Sequence, residues 1–196
     1  MSIRKAISAL MLALPLSLPA LAQFRLPQVD VDIKGMLSFF DAQTNNVDNT
    51  FSLSVQGGAH IQINQYIAVG GYYGRSFMGK VKYNEGGSSS TDYDTKLLIY
   101  GGDLRLSTGR SAKWRPYLVL SYGKLEFVEK QSINLAMSAT TMGANAGIML
   151  RLGNNLYWNV VEVGGKILSD KIYWLDSDFM PEAKTGFTYN IRVKSK

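Results

Sequence analysis

His60 is the only histidine in the chain, and imidazole is the side chain most often used as a general base near neutral pH. No serine close to His60 in the sequence forms a recognisable nucleophile–base arrangement, and an enzyme acting on membrane lipid needs its nucleophile on a lipid-accessible surface. One histidine and no cysteine are also too few for a typical zinc site. We therefore predict no catalytic residues, no metal ligands and no cofactor. His60 is interpreted as a hydrogen-bonded interior side chain, and a lipid-modifying enzyme centred on it is kept as a third alternative.

A second group of candidates consists of polar residues that alternate with apolar ones. In a strand, alternate residues lie on one face, so these side chains are expected to point into one shared interior. Buried charges are costly unless they are paired. Two functions follow, a salt-bridged plug that stabilises the fold or a narrow, gated path for ions and small solutes. The predicted interior set is Asp30, Asp32, Lys34, His60, Asp103, Arg105, Lys124, Glu126, Arg151 and Arg192.

The elements that must position these residues are long alternating strands. Residues 51–63 alternate strictly over thirteen positions, whereas a typical soluble strand has about five or six residues. A tilted transmembrane strand has roughly 9–11 residues, which this stretch exceeds only by an overhang. The same reading gives eight strands at residues 29–39, 51–63, 66–77, 96–107, 115–128, 138–152, 156–168 and 184–193.

The connections between these strands alternate in length. Those after strands two, four and six are short, and those after strands one, three, five and seven are long. We predict loops at residues 78–95 and at residues 169–184, the latter carrying Tyr173, Trp174, Phe179 and Met180. Short turns at one end and long loops at the other are typical of bacterial outer-membrane barrels.

The N-terminus predicts export. Arg4 and Lys5 precede an apolar run at residues 6–19, and small residues Ala20 and Ala22 precede a predicted cleavage site before Gln23. A retained anchor helix is the alternative, although Pro15 and Pro19 interrupt it. Residues 1–22 are thus predicted to be a signal peptide and residues 23–196 a single barrel domain.

Composition excludes several classes. The formal net charge of +6 falls to +4 when Arg4 and Lys5 leave, and no basic cluster of the nucleic-acid-binding kind is present. The chain has no cysteine, hence no disulfide, and no later stretch of about 18 apolar residues.

A soluble lipocalin-type barrel shows the same alternation and is the rival architecture. The length of the strands, the alternation of short and long connections and two aromatic belts favour a membrane barrel. The predicted belts are Tyr66, Trp114, Tyr117, Tyr157 and Trp158 at the short turns, with Phe39, Phe51, Phe77 and Phe127 at the long loops.

The last strand carries a resemblance to a known family. Phe187, Tyr189, Ile191 and Val193 share one face of residues 184–193, and Gly186 precedes them. The chain resembles the small OmpA/OmpX-type outer-membrane β-barrels, the outer membrane protein beta-barrel domain family. Gly186, Tyr189 and Ile191 resemble the C-terminal signal of that family, although many members end on an aromatic residue and this chain ends Val193-Lys-Ser-Lys196.

The resemblance implies an all-β, eight-stranded antiparallel up-and-down transmembrane β-barrel in a Gram-negative outer membrane, with both termini periplasmic. It implies contact with outer-membrane lipid and lipopolysaccharide, and with the barrel-assembly machinery through the C-terminal strand. The predicted role is structural or interactive: membrane integrity, loop-mediated contact or adhesion to a surface partner. A narrow channel is the second hypothesis. No nucleic-acid partner is expected.

Overall fold

The structure, a computed structural model, describes residues 28–40, 50–84, 90–94, 96–109, 112–128, 138–169 and 179–192. Within them the chain forms nine β-strands, and none of the described segments is a helix able to cross a membrane. The strands are β1 (Gln28–Phe40), β2 (Thr50–Gln62), β3 (Ile67–Asn84), β4 (Ser90–Asp94), β5 (Lys96–Ser107), β6 (Trp114–Val128), β7 (Ser138–Arg151), β8 (Leu156–Leu168) and β9 (Phe179–Arg192). The predicted signal peptide lies outside the described residues.

Eight of these strands close into an antiparallel barrel. Each pairs with its neighbour in chain order, and β9 pairs with β1, with Ile33 opposite Phe187 and Val31 opposite Tyr189. The predicted eight-stranded up-and-down architecture and its closing strand are confirmed. Because β1 and β9 pair, the sheet has no free edge in the barrel wall.

Strand β4, which is not one of the eight barrel strands, corrects one predicted loop. Residues 78–95 were expected to be a solvated loop, but β3 continues to Asn84 and pairs with β4 as a hairpin, with Val81 opposite Tyr93. β-Branched and aromatic residues on both sides of the Gly-Gly-Ser-Ser-Ser tract favour this extension.

β9 corrects a second loop. It begins at Phe179, five residues before the predicted strand, so Phe179 and Met180 belong to the barrel wall rather than to a loop. Phe179 is exposed on the outer surface, whereas Met180 is buried inside. Tyr173 and Trp174 lie outside the described residues, as do Val193 and the C-terminal tail.

The outer surface is apolar and the interior largely polar. Ile33, Ile61 and Tyr189 are 59%, 57% and 51% exposed, while Asp32, His60 and Asn190 are buried. This is the arrangement of a membrane barrel, and it is the opposite of a soluble lipocalin-type barrel. The predicted faces of β1, β2, β5, β7 and β9 are confirmed where the structure describes their side chains, except that Arg192, at the end of β9, is exposed rather than interior.

Strand β6 has the opposite orientation to the prediction. Tyr117, Val119 and Leu125 are buried in the interior, and Lys124 is exposed on the outer surface. The strand is apolar on both faces, because Leu118 and Leu120 are exposed to lipid while Val119 is inside. Periodicity therefore carried no information on which face is the interior.

The aromatic belts are confirmed in part. Trp114, Trp158 and Tyr66 are exposed at the end with the short turns, and Phe39, Phe51 and Phe77 are exposed toward the other end. The assignment of Tyr117 and Tyr157 to a belt is wrong, because both are only 5% exposed and point into the barrel. The side chain of Phe127 lies outside the described set.

A bulge in β8 decides which side chains of that strand enter the interior. Asn159 pairs with Gly186 and Glu162 pairs with Lys184, so Val160 and Val161 together lie opposite the single residue Thr185, and β8 carries one extra residue here. The Thr185 hydroxyl donates to the backbone carbonyl oxygens of Asn159 (3.0 Å) and Val160 (3.1 Å). Before the bulge the odd-numbered residues point inward, and after it the even-numbered ones do.

Candidate functional site in the barrel interior

Glu162 is the centre of a buried ionic network. Its Oε2 accepts hydrogen bonds from the Lys34 ammonium at 2.6 Å and from the Tyr117 hydroxyl at 2.8 Å, and its Oε1 lies 3.2 Å from Lys184 Nζ. Lys34 is 3% exposed and Glu162 is 1% exposed. The bulge at Val160 makes this contact possible, because an unbroken alternation would place Glu162 on the lipid side.

A second carboxylate, Glu182, extends the network along β9. Lys166 Nζ donates to both of its carboxylate oxygens at 2.9 and 2.8 Å, and Lys184 Nζ lies 2.7 Å from Oε1. Asn145 donates its side-chain amide to the same oxygen at 2.6 Å. Lys184 thus bridges Glu162 and Glu182, and the ammonium of Lys166 also lies 5.4 Å from the ring centre of Tyr72.

A third part surrounds His60. Its Nδ1 lies 3.2 Å from Asp32 Oδ2 and its Nε2 lies 2.6 Å from Asp103 Oδ1. Arg105 donates from Nη2 to Asp32 Oδ2 at 2.7 Å, and its guanidinium lies 5.7 Å from the ring centre of Tyr117. Since Tyr117 also binds Glu162, this tyrosine joins the His60 group to the Glu162 group.

The joined network is balanced in charge. Four cationic side chains face four carboxylates, and His60 adds a fifth cation only when it is protonated. Pairing of this kind is what makes buried charge tolerable in a barrel too narrow to hold bulk water. The members are Lys34, Arg105, Lys166, Lys184, Asp32, Asp103, Glu162 and Glu182.

Asp30 lies outside this network, at the short-turn end of the barrel. It accepts hydrogen bonds from the side-chain amides of Asn190, at 2.6 Å, and Gln62. Two amide donors therefore satisfy this carboxylate.

Two clusters of buried apolar side chains accompany the ionic network in the interior. Toward the long connections the buried cluster is Met36, Tyr72, Leu97, Ile99, Leu125, Ala139, Leu168 and Met180. Toward the short turns it is Tyr117, Val119, Met149 and Tyr157. An ionic network packed together with apolar clusters is typical of a plug rather than an open lumen, since the interior of an eight-stranded barrel is just wide enough for side chains to fill.

The structure brings together six of the ten predicted interior residues: Asp30, Asp32, Lys34, His60, Asp103 and Arg105 are all buried. Lys124 and Glu126 were predicted to be interior residues, which is wrong, because β6 turns them outward. Arg151 and Arg192 lie at the short-turn end; Arg192 is exposed, and Arg151 is half-buried and donates to the carbonyl oxygen of Gly153 at 3.0 Å.

Sequence reasoning missed four charged residues of the network and one near it. The bulge changes the face on which Glu162 and Lys166 lie, so alternation did not predict them as interior residues. Glu182 lies before the predicted last strand, and Lys184 is its first residue. The alternation of Met180, Glu182 and Lys184 continues that of the strand, and it could have revealed them. Arg115 was also missed; it is buried, donates to Ser107 Oγ at 2.8 Å, and its guanidinium lies 5.2 Å from the Tyr157 ring centre.

The environment of His60 does not support acid–base catalysis on an external substrate. Both ring nitrogens face carboxylates, and the residue is 1% exposed inside the barrel. A general base needs a free nitrogen within reach of the substrate proton. In the described part of the chain, no group of three or more His, Asp or Glu residues has an arrangement able to hold a metal ion.

Comparison with known proteins gives the family. A family model for the outer membrane protein beta-barrel domain matches residues 6–173. No curated protein matches this chain. Among solved structures, OprG from Pseudomonas aeruginosa is 11% identical with a TM-score of 0.58, covering 86% of this chain and 98% of its own.

Two further structures share the fold. Neisserial surface protein A is 15% identical with a TM-score of 0.54, covering 85% of this chain and 97% of its own. Ail of Yersinia pestis, solved with the heparin analogue sucrose octasulfate, is 15% identical with a TM-score of 0.52, covering 84% and 99%. Together with the closed eight-stranded barrel and its apolar outer surface, the family match shows that this chain belongs to the outer membrane protein beta-barrel domain family.

Proposed function

We propose that this protein is a non-conducting scaffold of the Gram-negative outer membrane, which stabilises the membrane and presents its long connections at the cell surface for contact or adhesion. The observation that carries the proposal is the closed interior, in which the ionic network is packed together with two buried apolar clusters. The proposal includes an orientation in which both termini and the short turns face the periplasm.

A conducting pathway is disfavoured by the packing. A hydrated ion would have to cross the apolar cluster toward the long connections, and such constrictions exclude ions by dewetting. It would also have to displace an ammonium–carboxylate contact such as Lys166 with Glu182, where both partners are at most 1% exposed. Each step leaves a buried charge unpaired, which is costly. The geometry therefore favours the plug over the narrow channel.

The lengths of the connections support the proposed orientation. Residues 63–66, 108–113 and 152–155 join strands at one end, and the described parts of these are tight turns. Asn64, for example, accepts hydrogen bonds at Oδ1 from the backbone N–H groups of Tyr66 and Ile67, both at 2.8 Å. Long connections facing outward are the usual arrangement in outer-membrane barrels. Two proteins of this fold are named as a surface protein and an attachment invasion locus protein, which agrees with a surface role.

The first test is conductance across a planar bilayer. Folded protein, verified by its shifted migration in unheated gels, is expected to produce no discrete current steps. Reproducible steps from such a sample would overturn the plug and favour the channel.

The second test is orientation in intact cells. The chain has no cysteine, so a single introduced thiol reports without background. Ser132→Cys, in the long connection between β6 and β7, should react with a membrane-impermeant maleimide, whereas Asn154→Cys, in the short turn between β7 and β8, should react only after lysis. The reverse labelling pattern would refute the proposed orientation.

A further inference from the structure

A groove lies on the outer surface of the barrel, across β2, β3, β5 and β6. It has a volume of about 1060 Å³, and side chains are nearly absent from its floor at Gly57, Ala59 and Gly71. Tyr73 stands beside this floor and is 55% exposed. The membrane-facing surface is therefore not smooth here, and it leaves room for an aliphatic chain.

Polar side chains gather at the edge of the groove nearer the long connections. The strand register places Val55, Arg75, Leu98 and Glu126 in one outward-facing row across the four strands. The next row, toward the short turns, contains Gly57, Tyr73, Tyr100 and Lys124. Outward-facing cations on a barrel wall are stable only near the membrane interface. Arg75 and Lys124 thus mark the level of the lipid headgroups.

The rows farther toward the short turns become apolar. One contains Ala59, Gly71, Gly102 and Tyr122, and the following one contains Ile61, Val69, Leu104 and Leu120. The polar edge and the small-residue floor therefore follow one another along the strands. A membrane lipid has the same order, with its headgroup at the interface and its acyl chains toward the bilayer centre.

The charges at this edge lie on the outer surface. Arg75 and Lys124 are both exposed. Glu126 accepts a hydrogen bond from the Tyr100 hydroxyl at 2.7 Å. Arg75 and Lys124 stand on β3 and β6, two strand spacings and one row apart, which is roughly 12 Å. Two separated cations can each bind one phosphate of a sugar headgroup that carries two phosphates, whereas a phospholipid such as phosphatidylglycerol offers only one.

We propose that the groove is a binding site for one lipopolysaccharide molecule, a phosphorylated glycolipid of the outer leaflet. Its phosphates lie against Arg75 and Lys124, one acyl chain lies over Gly57, Ala59 and Gly71, and Glu126 accepts hydrogen bonds from sugar hydroxyl or amide groups. The assignment to the outer leaflet rests on the proposed orientation, in which the long connections face outward.

The test is native mass spectrometry of the refolded full-length protein, released from detergent in the presence of purified lipopolysaccharide. We expect one bound molecule, and weaker retention of enzymatically dephosphorylated lipopolysaccharide and of phosphatidylglycerol. Arg75→Gln and Lys124→Gln should each weaken binding roughly fivefold, and both together roughly 25-fold, from the typical contribution of one basic side chain to anionic lipid binding. Lys113→Gln removes an exposed cation at the opposite end and is the matched control.

Ala59→Leu tests the acyl-chain site independently, since it fills the floor with an apolar side chain that the lipid-facing surface tolerates. Its control is Ala146→Leu, at an exposed position on β7 outside the groove. Equal retention of phosphatidylglycerol, or unchanged binding in the Arg75/Lys124 double variant, would overturn the proposal. These measurements use protein in detergent, so their outcome is independent of the cell-surface labelling that tests orientation.

Discussion

Glu162→Gln is expected to destabilise the barrel strongly, because it keeps the shape of the side chain and removes its charge. Glu162 is 1% exposed and contacts the ammonium groups of Lys34 and Lys184. Lys184 retains Glu182 at 2.7 Å, whereas Lys34 loses its 2.6 Å partner. Removing one partner of a buried ion pair costs about 3–5 kcal/mol, so the free energy of unfolding should fall by about that amount.

The measurement is equilibrium unfolding by urea in lipid vesicles. Trp114 and Trp158 report the transition by fluorescence, because both are exposed on the lipid-facing surface and lose that environment on unfolding. Glu126→Gln is the matched control; it makes the same change on the outer surface, keeps an acceptor for the Tyr100 hydroxyl, and should cost no more than about 1 kcal/mol.

A double variant separates the ion pair from a general loss of packing. Replacing a buried pair by apolar side chains is often neutral or stabilising. Glu162→Gln combined with Lys34→Met should therefore recover most of the lost stability. If Glu162→Gln costs less than about 1 kcal/mol, or if the double variant is additive with the two single ones, the ionic network is not what stabilises the interior.

Three further changes test the wall. Tyr189→Asp places a charge on the lipid-facing side of β9 and should reduce folded protein in the outer membrane, measured by unheated gel migration; normal levels would contradict the assignment. Gly186→Ala should cost about 1–3 kcal/mol in urea unfolding, because an added Cβ would lie 2.1 Å from the Ile33 carbonyl oxygen. Gly35→Ala is its control, because an added Cβ there would lie 3.9 Å from the nearest atom, the Thr185 carbonyl oxygen. An equal loss of unfolding free energy in the two variants would refute the close approach at Gly186. Thr185→Val should cost about 1–2 kcal/mol by freeing the two bulge carbonyls, and unchanged stability would show that the bulge forms without them.

Most strands were predictable because one face of each meets lipid and the other meets a polar interior. Residues 51–63 show this alternation without a break, and the structure confirms it from Phe51 to Ile61. The same logic failed on β6, where Val119 and Leu125 are apolar yet interior. An interior that contains both an ionic network and two apolar clusters does not have a uniform polarity that periodicity can detect.

Part of the candidate site was also predictable. Asp32, Lys34, His60, Asp103 and Arg105 were expected inside and are inside. Their pairing was not predictable, since each partner comes from a different strand and the contacts depend on how the barrel closes. The Lys34–Glu162 contact, for example, joins residues 128 positions apart.

The order of the polar and apolar positions along the chain determined, by itself, the number of barrel strands, the alternation of short and long connections and the closing role of residues 184–193. Only the tertiary structure decided which charges meet. The bulge at Val160 reverses the faces of β8, and the Thr185 hydroxyl on the neighbouring strand holds that bulge. A local shift of one residue exchanges the lipid and interior sides of every later position, so Glu162 and Lys166 enter the interior through a contact that no pattern within β8 contains.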